Sequence, residues 1–137
     1  MPDVIQLIEE DHREVEGLFA KFEETGDESV AAQICVELDR HTTGEERAVY
    51  PVIASDVPGG EKMVKEGEDE HKEARQLVGR IRQTSDQDHL AELIAELKQA
   101  VQHHVQEEES EILPKTRAAL TPARLEQLGE EFQAAKG

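Results

Sequence analysis

Histidine and glutamate fall in step with the apolar residues of a helical stripe, in four successive segments of this chain. Apolar positions recur three or four apart, the spacing of one helix face. The first segment reads Ile5, Ile8, His12, Val15, Phe19, Phe22, and the second Val30, Ile34, Leu38, His41, Glu45, Ala48. The third reads Val64, Gly67, His71, Ala74, Val78, Ile81, and the fourth Leu90, Leu93, Leu97, Val101, His104, Glu108, Ile112. A stripe is the face a helix buries. Ionisable groups on it must find partners there, because burying an unpaired carboxylate costs several kcal/mol, roughly. The chain is therefore constrained twice, to a helical bundle and to a polar cluster inside it.

Breaks separate the segments. Gly26 suits a helix C-cap, and Thr84-Ser85-Asp86 supplies N-cap residues. Pro51 and then Pro58-Gly59-Gly60 are expected to end the second helix, and Pro114 the fourth. Thr121-Pro122 starts a fifth helix with apolar positions Leu125, Leu128 and Phe132. Short connections make neighbours antiparallel. The expected fold is all-α, an up-down-up-down four-helix bundle with a short C-terminal fifth helix. Residues 1–116 would form the bundle, and residues 117–137 the helix packed on it.

The halves repeat. His41-x3-Glu45-Glu46-x4-Pro51 recurs 63 residues on as His104-x3-Glu108-Glu109-x4-Pro114. Asp11-His12-Arg13-Glu14 recurs 59 residues on as Glu70-His71-Lys72-Glu73. Residues four apart share a helix face, so His41 with Glu45, and His104 with Glu108, can serve one metal region from two helices. His12 and His71 approach from the other two. Imidazole with carboxylate suits iron, manganese or zinc. Two carboxylates among four imidazoles favour two metals, each with two His, bridged by both Glu side chains.

Composition narrows the partners. The 137 residues carry 32 acids and 15 bases, a net charge of −17, which repels nucleic acid and anionic lipid alike. No run approaches the roughly 18 apolar residues of a membrane span. The single Cys35 excludes an internal disulfide and reads as a small buried apolar residue. Met1 to Ile8 show no secretory pattern, so a cytoplasmic setting is expected. The partners expected are small molecules, with the protein a monomer or weak dimer.

The order His, His-x3-Glu, His, His-x3-Glu, with a Pro after each Glu-Glu pair, resembles the hemerythrin-like (HHE-type) domain over roughly residues 3–116. The resemblance implies two iron ions, oxo- or hydroxo-bridged, inside a four-helix bundle. Carried over to this chain, the ligands would be His12, His41, Glu45, His71, His104 and Glu108. Oxygen-carrying hemerythrins place a further His where this chain has Arg75, and they space the last His and carboxylate by five rather than four. The more symmetric ligand set leads us to expect catalase-like dismutation of hydrogen peroxide. The alternatives are reversible O2 or NO binding or sensing, and iron storage or detoxification. Tyr50, the only Tyr, corresponds to Leu113 in the repeat. It stands on the opposite helix face from His41 unless the helix unwinds before Pro51, in which case it becomes an additional ligand or a neighbour of the ligands. Glu9-x2-His12 and Glu68-x2-His71 also match the spacing of ferritin-like di-iron bundles. Glu46 and Glu109 are expected outside the ligand set, His103 just off the stripe, and His89 in solvent. The acidic runs at residues 9–11, 66–73 and 107–111 are expected to be mostly solvated helix faces.

Overall fold

The computed structural model describes residues 1–137, all helical apart from short connections. Helix α1 (Val4–Thr25) starts in a capping box, Asp3 accepting from the Gln6 N–H while Gln6 reaches back to the Asp3 N–H. It ends where Gly26 turns left-handed, at φ 63°. Helix α2 (Glu28–Gly44) begins at Asp27, which caps the Ser29 N–H. It continues without a break through a π-helical turn, Glu45–Val49, into α3 (Tyr50–Asp56). Helix α4 (Gly60–Gln83) follows the Pro58-Gly59 turn. Helix α5 (Gln87–Glu107), capped by Asp86, runs through a second π turn, Glu108–Ile112, into α6 (Leu113–Ala119). Helix α7 (Pro122–Lys136) opens with Thr121 accepting from the Arg124 N–H. The result is an up-down-up-down bundle of four long rods with a fifth laid against α1 and α2.

Pro51 and Pro114 do not end their helices as the sequence predicts. Each lacks an N–H and crowds the carbonyl four residues back. The chain answers by widening one turn just ahead of the ring: the Tyr50 N–H bonds to the Glu45 carbonyl, and the Leu113 N–H to that of Glu108. Five residues span each such turn, and the α-helix resumes at Tyr50 and at Leu113 with the proline in its first turn.

Two apolar clusters fill the interior. One joins α1, α2, α4 and α5 around Phe19, Ile34, Cys35 and Leu97. The other gathers Ile8, Tyr50, Ile53, Leu128 and Phe132 at the end covered by α7. Cys35 is fully buried. Between the clusters lies a layer of buried polar residues.

Candidate metal centre

The polar layer consists of the six residues the repeat picks out. His12, His41, Glu45, His71, His104 and Glu108 are all buried, the two glutamates at 0% and 1% exposure. The imidazoles form two pairs, one from each half of the repeat. His12 and His41 have ring centroids 5.1 Å apart, and His71 and His104 4.8 Å. Each glutamate faces both pairs. Glu45 Oε1 is 3.1 Å from His41 Nε2 and 3.2 Å from His71 Nε2. Glu108 is 3.1 Å from His12 Nε2 and 3.3 Å from His104 Nε2. Two ligand triads result, His12-His41-Glu108 and Glu45-His71-His104, each with its ligating atoms within 4.8 Å of one another.

The outer edge of every imidazole is pinned. His12 Nδ1 meets Glu109 at 2.6 Å, His41 Nδ1 meets Asp11 at 2.7 Å, His71 Nδ1 meets Glu46 at 2.7 Å and His104 Nδ1 meets Glu70 at 2.7 Å. An ionised carboxylate only accepts, so each Nδ1 carries the proton and donates it outward. In the neutral imidazole Nε2 is then left to present its lone pair to the interior, the arrangement in which outer carboxylates fix metal-binding histidines. Asp11 and Glu70 therefore are not the solvated residues the acidic runs predict. They stand directly before His12 and His71 but hold the histidine of the neighbouring rod. Glu46 and Glu109 cross to the other half of the repeat. The recurrence of an acid directly before His12 and His71 is the available signal, although charge runs usually face water.

Three of these carboxylates are held in turn by fixed cations. Arg75 grips Glu46 with two bonds of 3.0 Å, Arg13 pairs with Glu109, and Lys136 from α7 reaches Asp11 at 2.9 Å. Arg75, at the position where oxygen carriers have a further His, thus supports a carboxylate from outside and does not enter the cluster. The hydrogen bonds of His41 and Lys136 outweigh burial and keep the Asp11 carboxyl below its ordinary range. Glu46 is held low in the same way by Arg75 and His71 against its burial.

Tyr50 is brought inside by the π turn. Nine residues at ~100° each would place it opposite His41, but the widened turn swings it round. Its ring stacks on His71 with centroids 5.2 Å apart, and its hydroxyl donates to Glu108 Oε2 at 3.1 Å and lies 3.3 Å from His71 Nε2. Burial, with the charges of Glu45 and Glu108, keeps the phenol well above its ordinary range. It fits against Gly67, where a Cβ would come within 2.7 Å of the hydroxyl.

The donor set itself tests whether metal fits. His12 Nε2, His41 Nε2, both Glu45 oxygens and Glu108 Oε1 have no hydrogen-bond partner although all are buried. Lone pairs 3.1–3.3 Å apart repel unless positive charge lies between them. Protons can supply it: burial lowers the His41 imidazolium, but Glu45 and the Asp11 hydrogen bond prevail and push it up to about 10. Metal cations supply it without that proton, and nitrogen and carboxylate donors at this spacing suit iron-class ions. The residues fit the group. A cavity of about 30 Å³ opens beside the imidazoles, walled by Val15, Leu38, Ala74, Val101 and Val105.

Other candidates lie elsewhere. Glu9 and Glu68 are exposed, so the ferritin-like ligand set does not assemble. His89 and His103 are also exposed.

The family profile described as hemerythrin HHE cation binding domain matches residues 3–116. A DNA nickase from Nostoc sp. is 31% identical over 98% of this chain, which spans only 38% of that relative's length. An uncharacterized hemerythrin-like protein from Schizosaccharomyces pombe is 24% identical over 99% of the chain and 70% of its own. The crystal structure of a hemerythrin HHE cation binding domain-containing protein from Mycobacterium kansasii, an Rv2633c homolog, superposes with a TM-score of 0.84 at 23% identity. It covers 99% of this chain and 86% of that one.

Proposed function

Since the chain belongs to the hemerythrin HHE cation-binding family, we propose that His12, His41, Glu45, His71, His104 and Glu108 hold two iron ions and that the protein reversibly captures a small ligand, O2 or NO. The observation that carries the two-ion reading is that each glutamate faces imidazole nitrogens of both pairs. Each pair of histidines would serve one ion, with Glu45 and Glu108 spanning the two. When bound, iron supplies reversible ligation of diatomic molecules and electron exchange with them.

The chain's own residues do the rest. The four outer carboxylates hold the imidazoles in one tautomer and orientation. The cavity of about 30 Å³ beside the imidazoles has room for a ligand of two heavy atoms. The Tyr50 hydroxyl, outside that cavity, donates to Glu108 and lies against His71, and so steadies two of the residues that would hold the ions.

Hydrogen peroxide dismutation is the second reading, in which two H2O2 give O2 and two waters. The matched His pairs favour it, since neither pair has an extra imidazole and Arg75 takes the place of one. Iron-loaded protein would be reduced anaerobically and titrated with O2 and NO, with H2O2 added separately to a closed oxygen electrode. A visible-spectrum change that reverses on purging supports capture. Oxygen evolution from peroxide, with no reversible adduct, supports dismutation in its place. Metal analysis showing fewer than two ions per chain after loading would remove the basis of both.

A further inference from the structure

The internal repeat is broken at one place around the cluster. In the first half, Asp11 is paired with the Lys136 ammonium, which α7 lays across Gly44 and beside Arg40. A Cβ on Gly44 would lie 2.7 Å from Lys136 Cγ, so the glycine makes room for that side chain. In the second half Glu70 stands in for Asp11, Glu107 for Gly44 and His103 for Arg40. No helix covers this face, and no Lys or Arg pairs with Glu70. Where one half fixes a cation, the other presents two carboxylates and an imidazole.

These three groups converge. His103 Nε2 is 3.0 Å from Glu107 Oε1 and 3.5 Å from Glu70 Oε2. All three ligating atoms lie within 4.8 Å of one another. His103-x3-Glu107 is a third copy of the His-x3-Glu spacing, one residue out of step with His104-x3-Glu108 and so turned outward. His103 is 67% exposed and Glu107 41%, at the edge of a groove between α4 and α5.

We infer that Glu70, His103 and Glu107 form a surface site for a divalent transition-metal ion, on the face that α7 leaves open. One imidazole with two carboxylates selects Mn2+, Fe2+, Co2+ or Zn2+ over Mg2+ or Ca2+, whose preferred ligands are all oxygen. The ion takes the place that the Lys136 ammonium holds in the other half. Three protein ligands and open access leave the remaining positions to water, so binding is weaker than in the buried cluster and exchanges freely. Glu70 belongs to both sites: Oε1 holds His104, and Oε2 faces the surface ion. An ion bound there is one carboxylate away from the buried imidazoles.

The test is Mn2+ titration of the full chain, free Mn2+ being read from its six-line EPR signal. Wild type is expected to take up one more equivalent than His103→Ala, Glu107→Gln or Glu107→Lys. The last variant restores a fixed ammonium and should also raise the melting temperature of the metal-free protein. Both altered side chains, His103 and Glu107, are exposed, and unchanged circular dichroism would show that the fold persists. Equal Mn2+ uptake in wild type and all variants would overturn the proposal. If wild type binds one equivalent and the variants none, the surface site stands, and the buried cluster is decided separately by metal analysis of the iron-loaded protein.

Discussion

At the scale of single residues, the centre is a problem of charge. Glu45 and Glu108 are carboxylates with almost no contact with water, and they must meet positive charge as protons or as metal. Without metal, His41 carries it, pushed up to about 10 chiefly by Glu45 and the Asp11 hydrogen bond against burial. The folded value exceeds the unfolded one. Its stabilising contribution is therefore complete below about pH 6.5 and lost as pH rises toward 10. Urea midpoints of chelator-treated protein should fall across that window, and Glu45→Gln should flatten the fall. Tyr50 makes a second case. Gly67→Ala in a helix interior normally stabilises by about 1 kcal/mol, but the new Cβ would strike the Tyr50 hydroxyl. Overpacking costs about 1–3 kcal/mol, so melting should show a net loss. In the Tyr50→Phe background, which lacks that oxygen, the loss should shrink. The six cluster residues were legible in the sequence because stripe and repeat coincide on them. Asp11 and Glu70 were not, because their partners lie on a neighbouring rod that local spacing cannot reveal.

At the scale of elements, the informative feature is the π turn ahead of each proline. The sequence reads Pro51 and Pro114 as helix ends, which is what proline usually does. It does not show that one extra residue per turn lets the rod continue. That extra residue rotates everything beyond it, and it is why Tyr50 faces inward. Deleting Ala48 should close the turn to ordinary α geometry and carry Tyr50 away from His71 by ~100°. The tyrosine absorption band should then revert toward that of a solvated phenol, with helix content by circular dichroism little changed. A deletion variant with unaltered tyrosine absorption would show that the turn does not set its orientation. Two helix starts were legible, Asp86 in the Thr84-Ser85-Asp86 run and Thr121, which cap as their residue types require; Asp3 and Asp27 cap α1 and α2 in the same way. Asp3→Ala should cost about 1 kcal/mol in denaturant midpoints.

At the scale of the molecule, α7 is tied into the bundle and the cluster together. Phe132 is fully buried and sets its ring edge-on to His41 at 5.7 Å, while Lys136 steadies Asp11. Phe132→Ala should destabilise by about 3–5 kcal/mol in chemical denaturation and speed metal loss to a chelator. Leu125, Leu128 and Phe132 announced a packed helix, but not which end of the bundle it covers, since that depends on Gly44 leaving space for it. The polar layer also divides the interior into two oily compartments that share little besides the six cluster residues. Such a partition acts as a keystone when ions lock it and as a fault line when they are gone. Calorimetry of the loaded protein should give a single cooperative melt, its van't Hoff and calorimetric enthalpies agreeing. Stripped of metal, the two ends should let go at different temperatures, and the enthalpies should part company.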